Sequence, residues 1–214
     1  LLMESLTDLW LQRGINKSLF TTTDGMPLVW IARSVLRTKV ERIYGPTLML
    51  KLCDLAQKRA YRVFLVGGFG GLSKSLVSNL KEKYPGIKIV NAIETPLRPP
   101  TFKQNTKIIN KIKKTKADII FVGMGCPIQE KWMIQNYKKV ESGLFVGVGA
   151  AFDFISGRVK QCPLFLQFLG FEWIYRLFQE PGRLWKRYVV TNFKFVFTVL
   201  PKYKYFHEIK TTLS

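Results

Sequence analysis

At 214 residues, with 47% hydrophobic and 22% charged residues, the chain is long enough for one domain with a sizeable core and too apolar for an intrinsically disordered polymer. Thirty-four Lys and Arg against 14 Asp and Glu leave a net charge of +20, so the surface attracts polyanions, whether nucleic acid, anionic lipid or a diphosphate substrate. The cysteines, Cys53, Cys126 and Cys162, are widely spaced and odd in number, which fits neither a paired disulfide framework nor a CxxC metal spacing. No run reaches the roughly 18 to 20 uninterrupted apolar residues of a membrane span, and the first residues carry no basic-then-apolar signal pattern. A reduced, cytoplasmic setting is expected. Because the chain opens on Leu1 rather than Met, a preceding segment is expected as well.

Along the chain, short β-rich runs alternate with helical patterns. Residues 21–25 (TTTDG) form a turn leading into MPLVW. Asp24 there is either the turn former that an Asp-Gly pair ordinarily is, or a carboxylate at a sheet mouth serving as general base. Arg42, in ERIYGP, either clamps a diphosphate with its planar fork or stays solvated. Residues 48–59 read as a helix with Leu48, Leu52 and Leu55 on one face, and residues 61–66 (YRVFLV) as the first buried strand. The glycine-rich turn at 67–71 leads into a helix over 72–83, a strand over 87–90 (IKIV) and a basic helix over 103–114. Residues 98–116 hold seven cations and no acid, by default a solvated face. A strand over 119–122 (IIFV), a helix over 129–138 behind Pro127 and a strand over 144–148 (LFVGV) follow. Strands alternating with helices predict a mainly parallel sheet covered on both faces, with ligands at the carboxyl ends of its strands.

Three glycine-rich turns are therefore candidate ligand contacts. The turn at 67–71, with Gly68, either brings backbone N–H groups to an anion at a helix start or is simply a tight strand-to-helix turn. It is a poor dinucleotide fingerprint: the third glycine of a match starting at Gly68 falls on Ser73, and no acidic residue is expected at a suitable strand end about twenty positions on. In GMGCPIQE, with Gly125, Gln129 and Glu130 stand in the first turn of a helix, either reaching a sugar or base or capping that helix. In GVGAAFDFISG, Asp153 either accepts hydrogen bonds from a nucleobase or ribose or pairs with Arg158. His207 is the only histidine and lies near the end of the chain, and no metal-ligand cluster stands out.

After Gly157 acidic residues thin out and aromatics become frequent, and a C-terminal segment begins at Phe171. Pro181 is suited to the first turn of a helix, on which Arg183, Lys186, Arg187 and Lys194 gather charge while Trp185, Tyr188, Phe193 and Val196 occupy other faces. Such a helix either lies in a headgroup layer, where each cation near anionic lipid contributes roughly 1 kcal/mol, or packs on the domain with its cations in water.

The motifs TDGMPLVWIAR, ERIYGPTLM, FLVGG, YPGIKIV, GMGCPIQEKW, GVGAAFDFISG and EWIYRLFQEPGRLWKRY, in this order over residues 24–187, resemble the WecG/TagA/CpsF family of bacterial glycosyltransferases, which build cell-surface polysaccharides on lipid-linked sugars. The resemblance implies a Rossmann-like α/β domain over 1–170, its N-terminal part missing or shortened, and a helical membrane-facing appendage over 171–214. It implies inverting transfer of N-acetylmannosamine or a related hexose from a UDP-sugar donor to a polyprenyl-diphosphate-linked saccharide acceptor, with no metal and no cofactor. Asp24 matches the catalytic base, and Arg42, Gly68, Gly125, Gln129 and Asp153 match donor and diphosphate contacts. Arg176, Arg183, Lys186 and Arg187 fall in the appendage that engages acceptor and membrane. The implied place is the inner face of the plasma membrane, on an anionic surface, with no nucleic acid partner and a homo-oligomer allowed for. Departures from the pattern are the few residues ahead of Asp24, where the family carries a further strand-helix-strand portion, the lack of a glycine turn in residues 91–100, and Lys186 where Arg is usual. A degenerate, non-catalytic relative attached to membranes and a basic nucleic-acid-binding protein are the alternatives.

Overall fold

The computed structural model describes residues 1–96, 98–140, 143–182, 184–186, 188–191, 193–195, 197–198 and 201. In chain order the elements are α1 (Leu2–Ser5), α2 (Leu9–Asn16), α3 (Met26–Leu36), α4 (Gly45–Lys58), β1 (Arg62–Gly67), α5 (Leu72–Lys83), β2 (Lys88–Ile93), α6 (Phe102–Thr115), β3 (Ile119–Gly123) and α7 (Ile128–Asn136). A single 3₁₀ turn (Tyr137–Lys139), β4 (Leu144–Gly147), α8 (Ala151–Ile155), α9 (Leu164–Phe168) and α10 (Glu172–Gln179) follow. The chain divides into two compact units, one of residues 1, 8–19 and 44–160 and the other of residues 2–7, 20–43 and 161–214.

The first unit holds the expected α/β fold. Its four strands are all parallel, in the order β2-β1-β3-β4. In the central strands the two-residue repeat of side-chain direction sends alternate residues to opposite faces. Val63 and Leu65 of β1, with Ile119 and Phe121 of β3, pack in one core with Met49, Cys53 and Ala56 of α4, Leu72, Leu76 and Leu80 of α5, and Ala151 and Phe152 of α8. Phe64, Val66, Ile120 and Val122 pack in the other core with Ile108, Ile109 and Ile112 of α6 and Trp132 of α7. Each large side chain so withdrawn from water contributes roughly 1.5–3 kcal/mol.

The helices form where local signals put them. Pro46 opens α4, and Thr101 with Gln104 closes a capping box on α6, two orphan donors satisfied reciprocally. The face that α4 buries differs from the expected leucine row: Met49, Cys53 and Ala56 turn inward, while Leu55 is 41% exposed. Burial against a sheet selects the stripe that fits β1 and α8, and leucines beside that stripe are left at its rim. On α6 the isoleucines face the core, and Lys103, Lys107, Lys111 and Lys114 line an open recess of about 530 Å³ on the outer side.

The second unit is helical among its described residues: α1, α3, α9 and α10, then helical backbone at 181–182, 184–186, 188–191, 193–195, 197–198 and 201. Gly25 and Pro27 start α3, which ends on left-handed Arg37. Gly170, with φ of +77°, turns the chain between α9 and α10 close under the Trp30 ring, where a Cβ would stand 3.2 Å from it. Met26, Val29, Cys162, Gln167 and Leu184 are buried, whereas Phe165, Phe168, Phe178, Trp185, Phe193 and Phe197 are exposed. Among the described residues no helix is long and apolar enough to cross a membrane.

Candidate functional site

In the first unit, β1 is followed by β2 on one side and β3 by β4 on the other, so the connections leaving the carboxyl ends of β1 and β3 diverge. Such a switch point is where open α/β sheets bind ligands. Here it is framed by glycines. Gly67 and Gly123 are register partners, and a Cβ on Gly67 would run into the Gly123 carbonyl. Gly68 donates its N–H to Gly123 O (3.1 Å) and accepts from Thr95 N through its own carbonyl (2.9 Å). Gly125, with φ of +80° and open space where a Cβ would be, leads through a cis Cys126–Pro127 bond into α7.

Gln129 is buried, and both ends of its amide are engaged: Oε1 accepts from Gly149 N (3.0 Å) and Nε2 donates to Glu130 Oε1 (2.8 Å). It ties the start of α7 to the turn after β4. Burial pushes the Glu130 carboxyl above its ordinary value, against the pull of that amide. Of the two readings of Asp153, the ion pair is formed: Arg158 meets it at 3.0 Å, donates to Phe69 O (3.0 Å) and lies 4.0 Å over the Phe69 ring. Asp153 is thereby linked to the turn after β1.

The positive end of α5 is already occupied. Glu94 accepts from Gly71 N (3.0 Å) and Ser73 N (2.8 Å). Burial raises its carboxyl, but the Ser73 and Gly71 amides and the Arg158 charge outweigh it and hold the group below its ordinary value. Sequence reasoning missed this residue. It took β2 to end at Val90, whereas pairing with β1 continues through Asn91, Ala92 and Ile93, which puts an acid directly at the strand end. The expectation that no acid stands there is corrected, and that acid is engaged with the backbone.

In the second unit, hydrogen bonds from Thr23 Oγ1 to Glu41 O (3.2 Å) and from Ile43 N to Thr23 O (3.0 Å) lay residues 23–24 beside 41–43. This brings Arg42 against Asp24. The Arg42 Nη2 donates to Asp24 Oδ1 (3.1 Å) and to Glu172 Oε2 (2.5 Å), its Nε to the Asp24 carbonyl, and its Nη1 to Gln167 Oε1 (3.3 Å). Gln167 in turn donates Nε2 to Cys162 O (2.6 Å). Arg42 is therefore neither solvated nor open: its side chain is 15% exposed and engaged with three residues of its own unit.

The Asp24 carboxyl is raised above its ordinary value, foremost by the surrounding protein and further by Glu172, against the lowering effect of Arg42 and Arg176. Because 59% of the side chain is still reached by water, solvent moderates the shift and leaves the carboxylate accessible. The remaining cations of the expected set lie further along: Arg176, on α10, stands 3.8 Å from Glu180, and exposed Lys186 lies 5.5 Å over Trp185. Arg183 and Arg187 lie outside the described residues. Glu172 and Gln167 were also missed, since no local pattern marks them. Among the described residues no group of three or more His, Cys, Asp or Glu side chains is placed to hold a metal ion.

A parallel α/β sheet with a glycine-framed switch point is the arrangement of an α/β protein suited to binding a ligand at its strand ends. Residues 1–208 match the model of the glycosyl transferase WecG/TagA/CpsF family. The chain belongs to that family. It is 32% identical over 191 residues to the N-acetylglucosaminyldiphosphoundecaprenol N-acetyl-beta-D-mannosaminyltransferase of Bacillus subtilis (strain 168), covering 89% of this chain and 72% of that protein. Proteins of the same name from Bacillus spizizenii (strain ATCC 23059 / NRRL B-14472 / W23) and Staphylococcus aureus (strain MW2) are 31% and 29% identical over 78% and 81% of this chain. The chain spans 63% and 65% of those two proteins, less than two thirds of each.

Proposed function

We propose that the protein transfers N-acetylmannosamine or a related hexose from a UDP donor to a polyprenyl-diphosphate-linked saccharide in surface polysaccharide synthesis, with inversion and without a metal. The observation that carries this reading is Asp24: an accessible carboxylate of raised pKa, held by Arg42, in a chain whose relatives are named for transfer of N-acetylmannosamine to a lipid diphosphate sugar. Asp24 takes the proton of the acceptor hydroxyl, the freed oxygen attacks the anomeric carbon from the face opposite UDP, and the bond to the diphosphate breaks. Cations near the leaving diphosphate stabilise its charge, a role assigned to Arg176, Arg183, Lys186 and Arg187, which Arg42 joins only by giving up one of its present partners. In this reading the Rossmann-like sheet presents Gly68, Gly125, Gln129 and Asp153 to the donor. Gly68 and Gly125 would serve through their lack of a side chain, because the Gly68 N–H and the α5 amides are already engaged.

Residues 171–214 are proposed as a membrane-facing appendage to the 1–170 domain, with the protein peripheral on the inner face of the plasma membrane. The exposed Phe178, Trp185, Phe193 and Phe197 beside Lys186 and Lys194 support it. Two experiments test the proposal. Calorimetric titration with UDP should give saturable one-site binding that Asp153→Ala weakens; no binding to the full chain removes the donor pocket. Replacing Trp185 and Phe193 together by Ala should release the protein from vesicles of anionic lipid, and unchanged pelleting removes the appendage reading.

A further inference from the structure

We propose that Glu172 is a positioning residue for Asp24, acting through Arg42: it takes a share of the guanidinium and so leaves the base free to accept a proton. The inference rests on the reading of Asp24 as general base. One Arg42 nitrogen donates to both carboxylates, at 2.5 Å to Glu172 and 3.1 Å to Asp24, so the closer partner is Glu172. A guanidinium facing Asp24 alone would form the two-pronged pair that stabilises a carboxylate most, and a carboxylate so stabilised is a poor base. Gln167, buried and anchored on the Cys162 carbonyl, holds Arg42 from its Nη1 side and limits its swing.

Among the described residues, the charged groups facing Asp24 are Arg42 from the segment after α3 and Glu172 and Arg176 from α10. Arg176 lowers the Asp24 pKa and is itself within 3.8 Å of Glu180, while Glu172 raises it. After burial, Glu172 is thus the facing group whose negative charge opposes loss of the Asp24 proton. It stands in the first turn of α10. Its place on α10 makes the strength of the base depend on the C-terminal segment, more than a hundred residues away in sequence.

The test uses the full chain with Glu172→Gln, Glu172→Asp and Asp24→Asn, each checked for an unchanged thermal midpoint. Carboxyl NMR of ligand-free protein follows the Asp24 titration, and transfer from UDP-N-acetylmannosamine to a lipid diphosphate N-acetylglucosamine is followed against pH. Glu172→Gln should move both the Asp24 titration and the acid limb of kcat to lower pH, and lower kcat at neutral pH by on the order of 10-fold, a fraction of the 10²–10⁴ ascribed to a general base. Glu172→Asp should restore much of both. An Asp24 titration that does not move in Glu172→Gln overturns the inference, as does a loss confined to KM. Undiminished transfer by Asp24→Asn instead removes the base assignment, and the NMR titration still decides whether Glu172 governs Asp24.

Discussion

The strand-end crevice of the first unit and the Asp24 cluster of the second handle charge in opposite ways. At the strand ends three polar side chains engage backbone groups: Gln129 at Gly149, Glu94 at Gly71 and Ser73, Arg158 at Phe69. The first two sets of bonds join loops at the ends of adjacent strands, and the third ties the segment after α8 to the turn after β1. In the cluster one guanidinium is divided between two carboxylates and an amide from three separate stretches of chain. In the proposed reading the first arrangement holds the donor and the second tunes a proton acceptor.

The largest test of this contrast is Asp24→Asn. The amide keeps the shape and loses the proton acceptor, so transfer should fall by roughly 10²–10⁴-fold while UDP titrates as in the wild type. Equal loss of UDP affinity would mean that Asp24 belongs with the binding groups rather than with the chemistry.

A smaller effect should separate the rim from the chemistry on the other side. Gly67 has φ of +126° and approaches the Gly123 carbonyl, so Gly67→Ala combines backbone strain with a collision between two central strands. It should cost about 3 kcal/mol, read as a lower thermal midpoint. A neutral result would show that the strands can separate at the switch point.

The smallest effect concerns pH. Glu94 has a folded pKa held below its ordinary value of 4.5, so its contribution is present above that value and is lost as pH falls through the lower, folded one. Glu94→Gln should flatten the stability profile below pH 4.5, by no more than about 1 kcal/mol for so accessible a group. An unchanged profile would mean that the α5 amides do not depend on that charge, and would reopen the turn to an external anion.

Much of the sheet was legible in the chain. The runs at 61–66, 119–122 and 144–148 are short and mostly apolar, as strands of a parallel sheet tend to be, and each became a strand displaced by no more than a residue at either end. Helix α5 spans the expected residues 72–83 because a left-handed glycine starts it and Tyr84 leaves the helical region at its end. The end of β2 was not legible: Asn91 and Ala92 are poor strand formers, and only the ladder to β1 keeps them extended. These two residues, with Ile93 after them, concealed Glu94. On α4 the leucine row suggested one face and packing chose another.

What the sequence determined alone was therefore local: the alternation of strands and helices, the glycine turns, the excess of cations, and the motifs by which the family is recognised. Such features depend on periodicity and turn chemistry within a few residues, which a linear reading contains. Only the tertiary structure decided that Glu94 would fill the amides of α5, and that Asp24, Arg42, Gln167 and Glu172 would meet. Those encounters join residues far apart in the chain, and they arise from how whole elements pack, which no local pattern around any one of the residues records.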